Sequence, residues 1–292
     1  MKSQMEYYSF NRYLRNRFGC KVYKISINGG FTCPNRDGTC GTRGCIFCSA
    51  GGSGDFAEDP RLSVTQQIEK GKLRVQNKIK SGKYIAYFQA FTNTYAPVEV
   101  LRKKFTEAIE HPDIVMLSVA TRPDCLPDDV IDLLAQLNTI KPVSVELGLQ
   151  TIHQKSADYI RRGYNLACFD DAVCRLKEAG LEVVCHIILG LPGESKSDML
   201  QSVDYACKSG INGIKLQLLH VLKHTDLEKE YRAGNFKTLT FEEYLDIIKS
   251  CVKIIPKEIV IHRLTGDGAK KDLIAPLWSA DKKKVLNAIS KL

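Results

Sequence analysis

Short apolar runs alternate with longer amphipathic stretches along most of the chain. Seven runs are rich in β-branched and aromatic residues, as in strands that are buried on both faces: Val22–Asn28, Tyr84–Gln89, Ile114–Val119, Val143–Leu147, Glu182–Leu189, Ile214–Leu219 and Ile259–His262. Seven other segments repeat their apolar residues at helical spacing: Val64–Lys80, Val98–Glu110, Asp128–Leu137, Gln154–Ile160, Phe169–Ala179, Ser197–Lys208 and Phe241–Ile254. This alternation predicts a parallel sheet whose strands are joined by right-handed helical crossovers.

The number of strand–helix units decides between the parallel folds. Six or seven units are fewer than the eight of a closed barrel, so the sequence predicts an α/β fold of the partial (β/α)6 TIM-barrel type. A doubly wound open sheet is the alternative. We expect a helical extension over residues 1–20, the barrel over 21–225, and a helical and strand extension over 226–292 that packs on the barrel.

Polar and glycine-rich clusters follow nearly every predicted strand directly. They are Asn28–Gly54, Ala90–Pro97, Ala120–Pro123, Gly148–Gln150, Gly190–Glu194, His220–His224 and His262–Gly268. Because parallel strands all end on the same side of the sheet, we expect these clusters to converge on a single mouth. Such an arrangement is typical of an enzyme.

The composition of the 292 residues narrows the class of protein. A chain with 44% hydrophobic and 26% charged residues is typical of a folded, globular protein. No apolar run reaches the roughly 18 residues of a membrane span, and Met1–Tyr8 lacks the apolar core of a secretory signal. We therefore expect a cytoplasmic protein without a membrane partner. The net charge of +9 favours acidic partners such as nucleic acid or phosphate.

Eleven cysteines are many for a chain of this kind. Disulfides are rare in a reducing compartment, so metal binding, catalysis and packing are the competing roles. Seven cysteines are expected to pack as small hydrophobic side chains: Cys20, Cys125, Cys168, Cys174, Cys185, Cys207 and Cys251. The other four are concentrated in one loop.

This loop follows the first predicted strand and contains Cys33, Cys40, Cys45 and Cys48. So many thiolates on a glycine-rich loop indicate zinc or an iron–sulfur cluster. A structural zinc site would use all four cysteines and normally pairs two C-x-x-C knuckles, of which the loop has one. An electron-transfer cluster also takes four cysteines. A catalytic cluster would take three and leave one iron open to a substrate.

Two segments of the loop resemble a known family. The ending Cys45-Ile-Phe-Cys48, with an aromatic residue before the last cysteine, resembles the ending of the cysteine motif in the radical S-adenosylmethionine (SAM) superfamily. Cys33-Pro-Asn-Arg-Asp-Gly-Thr39 is similar to the YhcC/YtqA-like branch, which is related to the Elongator-type catalytic subunit. The resemblance implies a radical SAM core and a 4Fe–4S cluster with one open iron, held by Cys33, Cys45 and Cys48. Cys40 is the rival for the first position, since its four-residue gap to Cys45 is closer to the common spacing.

The resemblance covers almost the whole chain and implies a set of contacts to SAM. The implied contact residues are Phe47, Gln89, Thr92, Asn93, Gln150, Arg162, His186, Ile188 and Gly190. By this match, the segment Tyr87–Pro97 holds the methionine amino group, and the guanidinium of Arg162 binds the methionine carboxylate bidentately. The alternatives are a capped strand end for the segment, a solvated helix-terminal arginine, and a satisfied core histidine for His186.

The resemblance also implies an activity. Reductive cleavage of SAM would give a 5′-deoxyadenosyl radical that removes hydrogen from a substrate, with an electron donor such as ferredoxin or flavodoxin. The branch implies tRNA, modified at the side chain of the wobble uridine, and no DNA. The loops His220–His224 and His262–Lys271 suit either a phosphate or plain solvation. The segment Tyr7–Lys24 either contacts RNA or packs on the barrel as an amphipathic helix.

Two other classes of protein remain open from the residues alone. One is a zinc-stabilised nucleic-acid-binding protein without catalysis, which would need Cys40 as a ligand. The other is a non-catalytic iron–sulfur electron carrier. Neither explains why further loops match a cofactor-binding barrel.

Overall fold

The computed structural model describes residues 7–52, 54, 57–78, 82–266, 268 and 270–292. Its centre is a seven-stranded parallel sheet in which neighbouring strands follow chain order. The strands are β1 (Tyr23–Ile27), β2 (Tyr84–Phe88), β3 (Ile114–Thr121), β4 (Val143–Gln150), β5 (Glu182–Leu189), β6 (Gly213–Leu218) and β8 (Val260–Arg263). A separate antiparallel pair consists of β7 (Val221–Leu222) and β9 (Leu273–Ala275). Each of the seven predicted strands coincides with one strand of the large sheet.

Contacts between inward-facing side chains show that this sheet curls into a partial barrel. Lys24 on β1 reaches Glu146 on β4, and Lys215 on β6 donates to the hydroxyl of Tyr87 on β2 at 3.2 Å. In a flat sheet, β2 and β6 would lie about 19 Å apart, at about 4.8 Å for each strand. The predicted partial barrel is therefore confirmed.

The helices lie between the strands, as the sequence predicts. They are α1 (Phe10–Phe18), α2 (Val64–Val75), α3 (Val98–Glu110), α4 (Asp128–Asn138), α5 (Gln154–Tyr159), α6 (Leu166–Glu178), α7 (Lys196–Lys208), α8 (Asp226–Arg232), α9 (Phe241–Ile254) and α10 (Lys282–Ile289). Capping boxes begin α2 at Ser63 and α9 at Thr240. Helix α2 passes into a 3-10 turn at Gln76–Lys78, and the last two residues predicted for it, 79 and 80, lie outside the described residues. Within the described ranges, each helix is too short or too polar to cross a lipid bilayer.

The two faces of the sheet have different surroundings. Side chains that point outward, such as Ile25, Phe88, Val145 and Ile187, join the helices in one large hydrophobic core. Residues that point inward alternate with them along each strand, and many of these are polar. Because the main core lies outside the barrel, the interior is available for a site.

Helix α1 closes the amino-terminal end of the barrel. Its Leu14 is buried in a small cluster with Ile85 and Met116, which lie on the inner face of β2 and β3. The hydroxyl of Tyr13 donates to the carboxylate of Glu182, at the start of β5, at 2.7 Å. Of the two expectations for Tyr7–Lys24, the structure therefore shows packing on the barrel.

The last strand of the sheet comes from the predicted carboxy-terminal extension. Strand β8 pairs with β6, so part of residues 226–292 completes the barrel wall. At its other edge, Ser9 forms a parallel bridge with Ile261, whose N–H donates to the carbonyl of Tyr8 at 2.8 Å. The division of the chain at residue 225 stays a prediction.

The cysteines outside the loop differ in burial. Three are buried and three are partly buried, in line with packing roles: Cys125, Cys185 and Cys251, then Cys20, Cys168 and Cys207. Cys174 is exposed on α6, and its thiol donates to the carboxylate of Glu178 at 3.5 Å. For Cys174 the packing prediction is wrong, because its helical position points to solvent.

Candidate functional site

A cavity of about 680 Å³ lies inside the barrel and under the loops that follow the strands. Each of the seven parallel strands contributes at least one lining side chain. Six of the seven polar clusters that follow predicted strands also reach the lining; the exception is Gly190–Glu194. The expected convergence of these loops on one mouth is therefore observed for most of them.

The cysteine loop is held in shape by its own backbone. The N–H of Arg36 donates to the carbonyl of Cys33 at 2.8 Å, and the N–H of Cys48 donates to the carbonyl of Cys45 at 3.0 Å. The guanidinium of Arg36 returns to the end of the loop and donates to the carbonyl of Ser49 at 2.7 Å. The first and last cysteines thus lie in turns that are tied to each other.

Three of the four loop cysteines face the cavity. Cys33, Cys45 and Cys48 line it, whereas Cys40 is exposed and lies outside the lining. Burial, followed by the nearby Cys48 and Cys33, raises the pKa of Cys45 to about 11. The structure therefore brings together the three predicted ligands and leaves their rival apart.

The spacing of these sulfurs bears on the kind of metal they suit. Among the described residues, Glu69, His111 and Asp113 are the only three whose ligand atoms all lie within 4.8 Å of one another, and Lys72 bridges two of them as an ion-pair partner. No three cysteine sulfurs in this part of the chain are that close. A zinc ion bound at about 2.3 Å would hold its sulfurs within about 4.6 Å of one another. The described cysteines are therefore not arranged as a preformed zinc site.

Gln150 and Arg162 both line the cavity, and each has a buried side-chain atom without a hydrogen-bond partner among the described residues. Gln150 has a φ of 68°, a left-handed conformation that costs roughly 1–3 kcal/mol, and its Oε1 has no partner among the described residues. Nη1 of Arg162 donates to the carbonyls of Leu149 (3.1 Å) and Thr151 (2.6 Å), and Nε donates to that of Tyr164 (3.0 Å). Only Nη2 lacks a partner in the described chain. Arg162 therefore offers one nitrogen rather than the bidentate fork expected from the sequence.

The other residues implied as SAM contacts fall into two groups. Five of them line the cavity: Phe47, Gln89, Thr92, His186 and Ile188. Asn93 and Gly190 lie outside the lining. The amide of Asn93 donates to the carbonyl of Ala120 at 2.8 Å, and the N–H of Gly190 lies 3.1 Å from the sulfur of Met199. Both support strand ends from behind the cavity wall.

A buried ionic network, which the sequence patterns did not reveal, lies in the middle of the barrel. Glu146 is fully buried; its Oε1 accepts from Lys24 (2.5 Å) and Ser118 (2.8 Å), and its Oε2 accepts from His186 (2.8 Å) and Lys215. Burial opposes ionisation of Glu146, but Lys215, Lys24 and His186 together hold its pKa well below the usual value. One carboxylate thus satisfies donors from β1, β3, β5 and β6.

His186 belongs to this network rather than standing alone. Its Nε2 donates to the ionised Glu146, which leaves Nδ1 to accept from the amide of Gln217 at 3.2 Å. Burial and then the charge of Lys215 lower its pKa to about 4, so the ring is neutral at pH 7. With both nitrogens engaged, His186 is the satisfied core histidine that the sequence left as an alternative, although it lines the cavity.

The charge balance of the cavity wall is strongly positive. Among the described residues that line it, Glu146 is the only acidic one. Seven cationic side chains also line it: Lys24, Arg36, Lys78, Arg122, Arg162, Lys215 and Arg263. Arg122 lies beside Cys33 and is oriented by Asp124, at 2.6 and 2.9 Å. Such a wall favours negatively charged groups.

Comparison with known proteins decides the family. Residues 36–206 match the family model of the radical SAM superfamily, and residues 211–292 match that of the Radical SAM C-terminal domain. The chain belongs to the radical SAM superfamily. Its resemblance to the YhcC/YtqA-like branch, related to Elongator, is confirmed as well.

Two similar sequences and one similar structure show which other proteins this radical SAM protein resembles. It is 47% identical over 289 residues to the uncharacterized protein YtqA of Bacillus subtilis, which covers 99% of this chain and 90% of that one. It is 29% identical over 168 residues to the tRNA uridine(34) acetyltransferase of Methanocaldococcus jannaschii, which covers 56% of this chain and 30% of that one. The structure of Elp3 from Methanocaldococcus infernus covers 90% of this chain and 63% of that chain, with a TM-score of 0.63 at 19% identity. That likeness shows a shared fold.

The cavity of this radical SAM protein fits the groups that its superfamily uses. Three cysteines line the cavity and Cys40 lies outside it, so the loop offers the cavity three thiolates rather than the four of a structural zinc site. Gln150 Oε1 is an unpaired acceptor and Arg162 Nη2 an unpaired donor, the pair of atoms that the ammonium and carboxylate of an amino acid require. The cationic wall offsets the negative charge of thiolates and carboxylate.

Proposed function

We propose that this protein cleaves SAM reductively at a 4Fe–4S cluster held by Cys33, Cys45 and Cys48. The observation that carries the proposal is that these three cysteines line one cavity together with Gln150 and Arg162, each of which has a buried side-chain atom without a hydrogen-bond partner among the described residues. When bound, the cluster and SAM supply the one-electron chemistry that yields a 5′-deoxyadenosyl radical. Cys40 has no part in this proposal, since it is exposed outside the lining.

The residues of the chain hold and orient the cofactor. Oε1 of Gln150 accepts from the methionine ammonium, and Nη2 of Arg162 donates to the methionine carboxylate. Ile188 and Phe47 offer apolar surface to the adenine, and Gln89 and Thr92 offer polar groups near the cluster loop. Asn93 and Gly190 act indirectly, because each fixes a strand end behind the wall.

For the substrate we propose tRNA, modified at its wobble uridine. The name of the acetyltransferase relative, which specifies uridine 34 of tRNA, supports this proposal. The net charge of +9 supports it too, because phosphate contacts supply much of the affinity for RNA. We propose that the electron comes from a donor such as ferredoxin or flavodoxin. With tRNA as its substrate, the protein would act in the cytoplasm and would not require DNA.

Anaerobic reconstitution tests the cofactor chemistry. Wild-type protein and Cys48→Ala are reconstituted with iron and sulfide, reduced with dithionite in the presence of SAM, and assayed for 5′-deoxyadenosine. We expect product from the wild type and only background from Cys48→Ala. A colourless protein with one zinc per chain would favour the nucleic-acid-binding alternative. A reducible cluster that leaves SAM intact would favour the electron carrier.

Nucleoside analysis tests the substrate separately. Total tRNA from a deletion strain is compared by mass spectrometry with tRNA from the same strain carrying the wild-type gene or Cys48→Ala. We expect a changed wobble uridine in the deletion strain, restored by the wild type alone. Identical nucleosides in all three would remove tRNA as the substrate and leave SAM cleavage standing.

A further inference from the structure

The amide of Asn35 lies between the cysteine loop and the segment that follows α5. Asn35 is buried, at 4% exposure, and belongs to the eleven residues that separate Cys33 from Cys45. Its Nδ2 donates to the carbonyl of Arg161 at 2.6 Å and lies within hydrogen-bonding reach of the Cys45 sulfur, at 3.5 Å. One amide group therefore contacts a proposed cluster ligand and the backbone next to Arg162.

The orientation of this amide is fixed by its surroundings. The carbonyl of Arg161 only accepts hydrogen bonds, so the atom beside it is the amide nitrogen and not the oxygen. On the other side, a Cβ at Gly163 would lie 2.8 Å from Asn35 Oδ1. Gly163 also has a φ of 84°, which favours glycine. The glycine leaves the space that the Asn35 amide occupies.

A second contact holds the loop at the same place. The N–H of Ile46, next to Cys45, donates to the carbonyl of Ile160 at 3.2 Å. Asn35 and Ile46 thus bind consecutive carbonyls, those of residues 161 and 160. The Asn35 contact is the one of the two that also offers an N–H to the sulfur.

We propose that Asn35 is a positioning residue for the cluster, which holds Cys45 in place and raises the reduction potential through its N–H bond to the sulfur. The inference rests on the function proposed above. An added electron increases the negative charge on the thiolates, so an N–H donor stabilises the reduced form more than the oxidised form. Outer contacts of this kind tune a metal group without binding it.

The test compares two variants with a matched control. Asn35→Leu keeps the branched shape of the side chain, although it is larger, and removes the amide donor, and Asn35→Ala removes the amide with less risk of a clash. Thr39→Ala is the control, because Thr39 is exposed in the same loop and its hydroxyl pairs with Tyr95. Each reconstituted protein is titrated with dithionite without SAM, and the reduced cluster is followed by electron paramagnetic resonance.

We expect both Asn35 variants to be about tenfold harder to reduce than the wild type, a shift of about 59 mV to more negative potential for one electron. Thr39→Ala should match the wild type. A variant that is folded by circular dichroism but loses its iron, while Thr39→Ala retains it, also supports the positioning role. Wild-type potentials in fully loaded Asn35 variants would overturn it. Failure of the wild type to bind a cluster would instead refute the proposed function.

Discussion

The upper cavity and the ionic centre of the barrel use polar side chains in opposite ways. In the upper cavity, formed by the three lining cysteines with Gln150 and Arg162, buried polar atoms lack partners among the described residues. In the ionic centre, formed by Glu146 and its four donors, each carboxylate oxygen accepts two hydrogen bonds. The two regions line one cavity, and Gln150 of the first lies on the same strand, β4, as Glu146 of the second.

This difference separates groups that bind from groups that shape the site. A buried polar atom without a partner costs about 1–3 kcal/mol, so the open atoms of the upper cavity are best explained by a ligand that completes them. A network that is already complete gains rigidity from its low-dielectric surroundings. The ionic centre is therefore a preformed base on which the upper cavity is built.

The largest expected effect concerns the identity of the first ligand. Cys33→Ala should abolish 5′-deoxyadenosine formation and lower the iron content of reconstituted protein, because its sulfur faces the cavity. Cys40→Ala should retain both, since Cys40 is exposed outside the lining. Iron analysis and product chromatography measure the two outcomes. The reverse pattern would move the first ligand to Cys40.

Loss of the carboxylate at the ionic centre should be costly for stability. Glu146→Gln keeps the shape but leaves Lys24 and Lys215 without their counter-charge, which we expect to lower the free energy of unfolding by about 3–5 kcal/mol. Glu182→Gln breaks the more exposed pair with Arg17 and should cost less than about 1 kcal/mol. Urea unfolding of cofactor-free protein measures both. Equal losses in the two variants would show that the buried network contributes no more to stability than the exposed ion pair.

The ionic centre should also make stability depend on pH. The pKa of His186 is about 4 in the folded protein and about 6.5 when unfolded. Between these two values the unfolded chain binds the proton and the folded chain does not. The free energy of unfolding therefore decreases as the pH is lowered from about 6.5 towards 4, by up to about 1.4 kcal/mol per pH unit. Glu146, whose folded pKa is depressed, stabilises the protein above its unfolded pKa of about 4.3, and this is lost at lower pH.

A variant isolates the histidine contribution. His186→Gln can still donate to Glu146 and accept from Gln217, but it does not titrate. Urea unfolding at several values between pH 5 and 6.5 should give a flatter dependence for this variant than for the wild type. An unchanged slope would assign the pH dependence to other groups.

The smallest effect compares two glutamines that line the same cavity. Gln150→Met removes a buried atom without a partner, so we expect unchanged or slightly higher stability and about tenfold weaker SAM binding. Gln217→Met removes the hydrogen bond to Nδ1 of His186. We expect this variant to have a lower free energy of unfolding and nearly unchanged SAM binding. Calorimetric titration with SAM and urea unfolding give the two readouts. If both variants changed SAM affinity and stability alike, the upper cavity and the ionic centre would not differ in function.

Features that depend on neighbouring residues could be predicted from the sequence. The strands are visible as apolar runs, the capping boxes of α2 and α9 lie within four residues, and the cysteine loop is one continuous segment. The mouth of the barrel was predictable because the order of parallel strands fixes where each loop ends.

Features that depend on closure of the barrel could not be predicted from the sequence. Lys24 and Glu146 are 122 residues apart, and Lys215 is 69 residues from Glu146. Each stands alone in an apolar strand, and only the curl of the sheet brings them together. The sequence likewise identified Arg162 but not the carbonyls of Leu149 and Thr151, which occupy one nitrogen of its guanidinium.

The contact between Ser9 and Ile261 has a consequence for how copies of this protein meet. An incomplete barrel has two edge strands, and an uncovered edge can pair with a strand from another molecule. Here Tyr8 and Ser9 occupy the edge of β8, and α1 begins at once, which leaves no room for a second chain to extend the sheet there. The Phe10 ring of the same helix lies 5.0 Å from the Lys24 ammonium on the opposite edge strand. The short segment from Tyr8 to the start of α1 thus protects the β8 edge against pairing with another molecule.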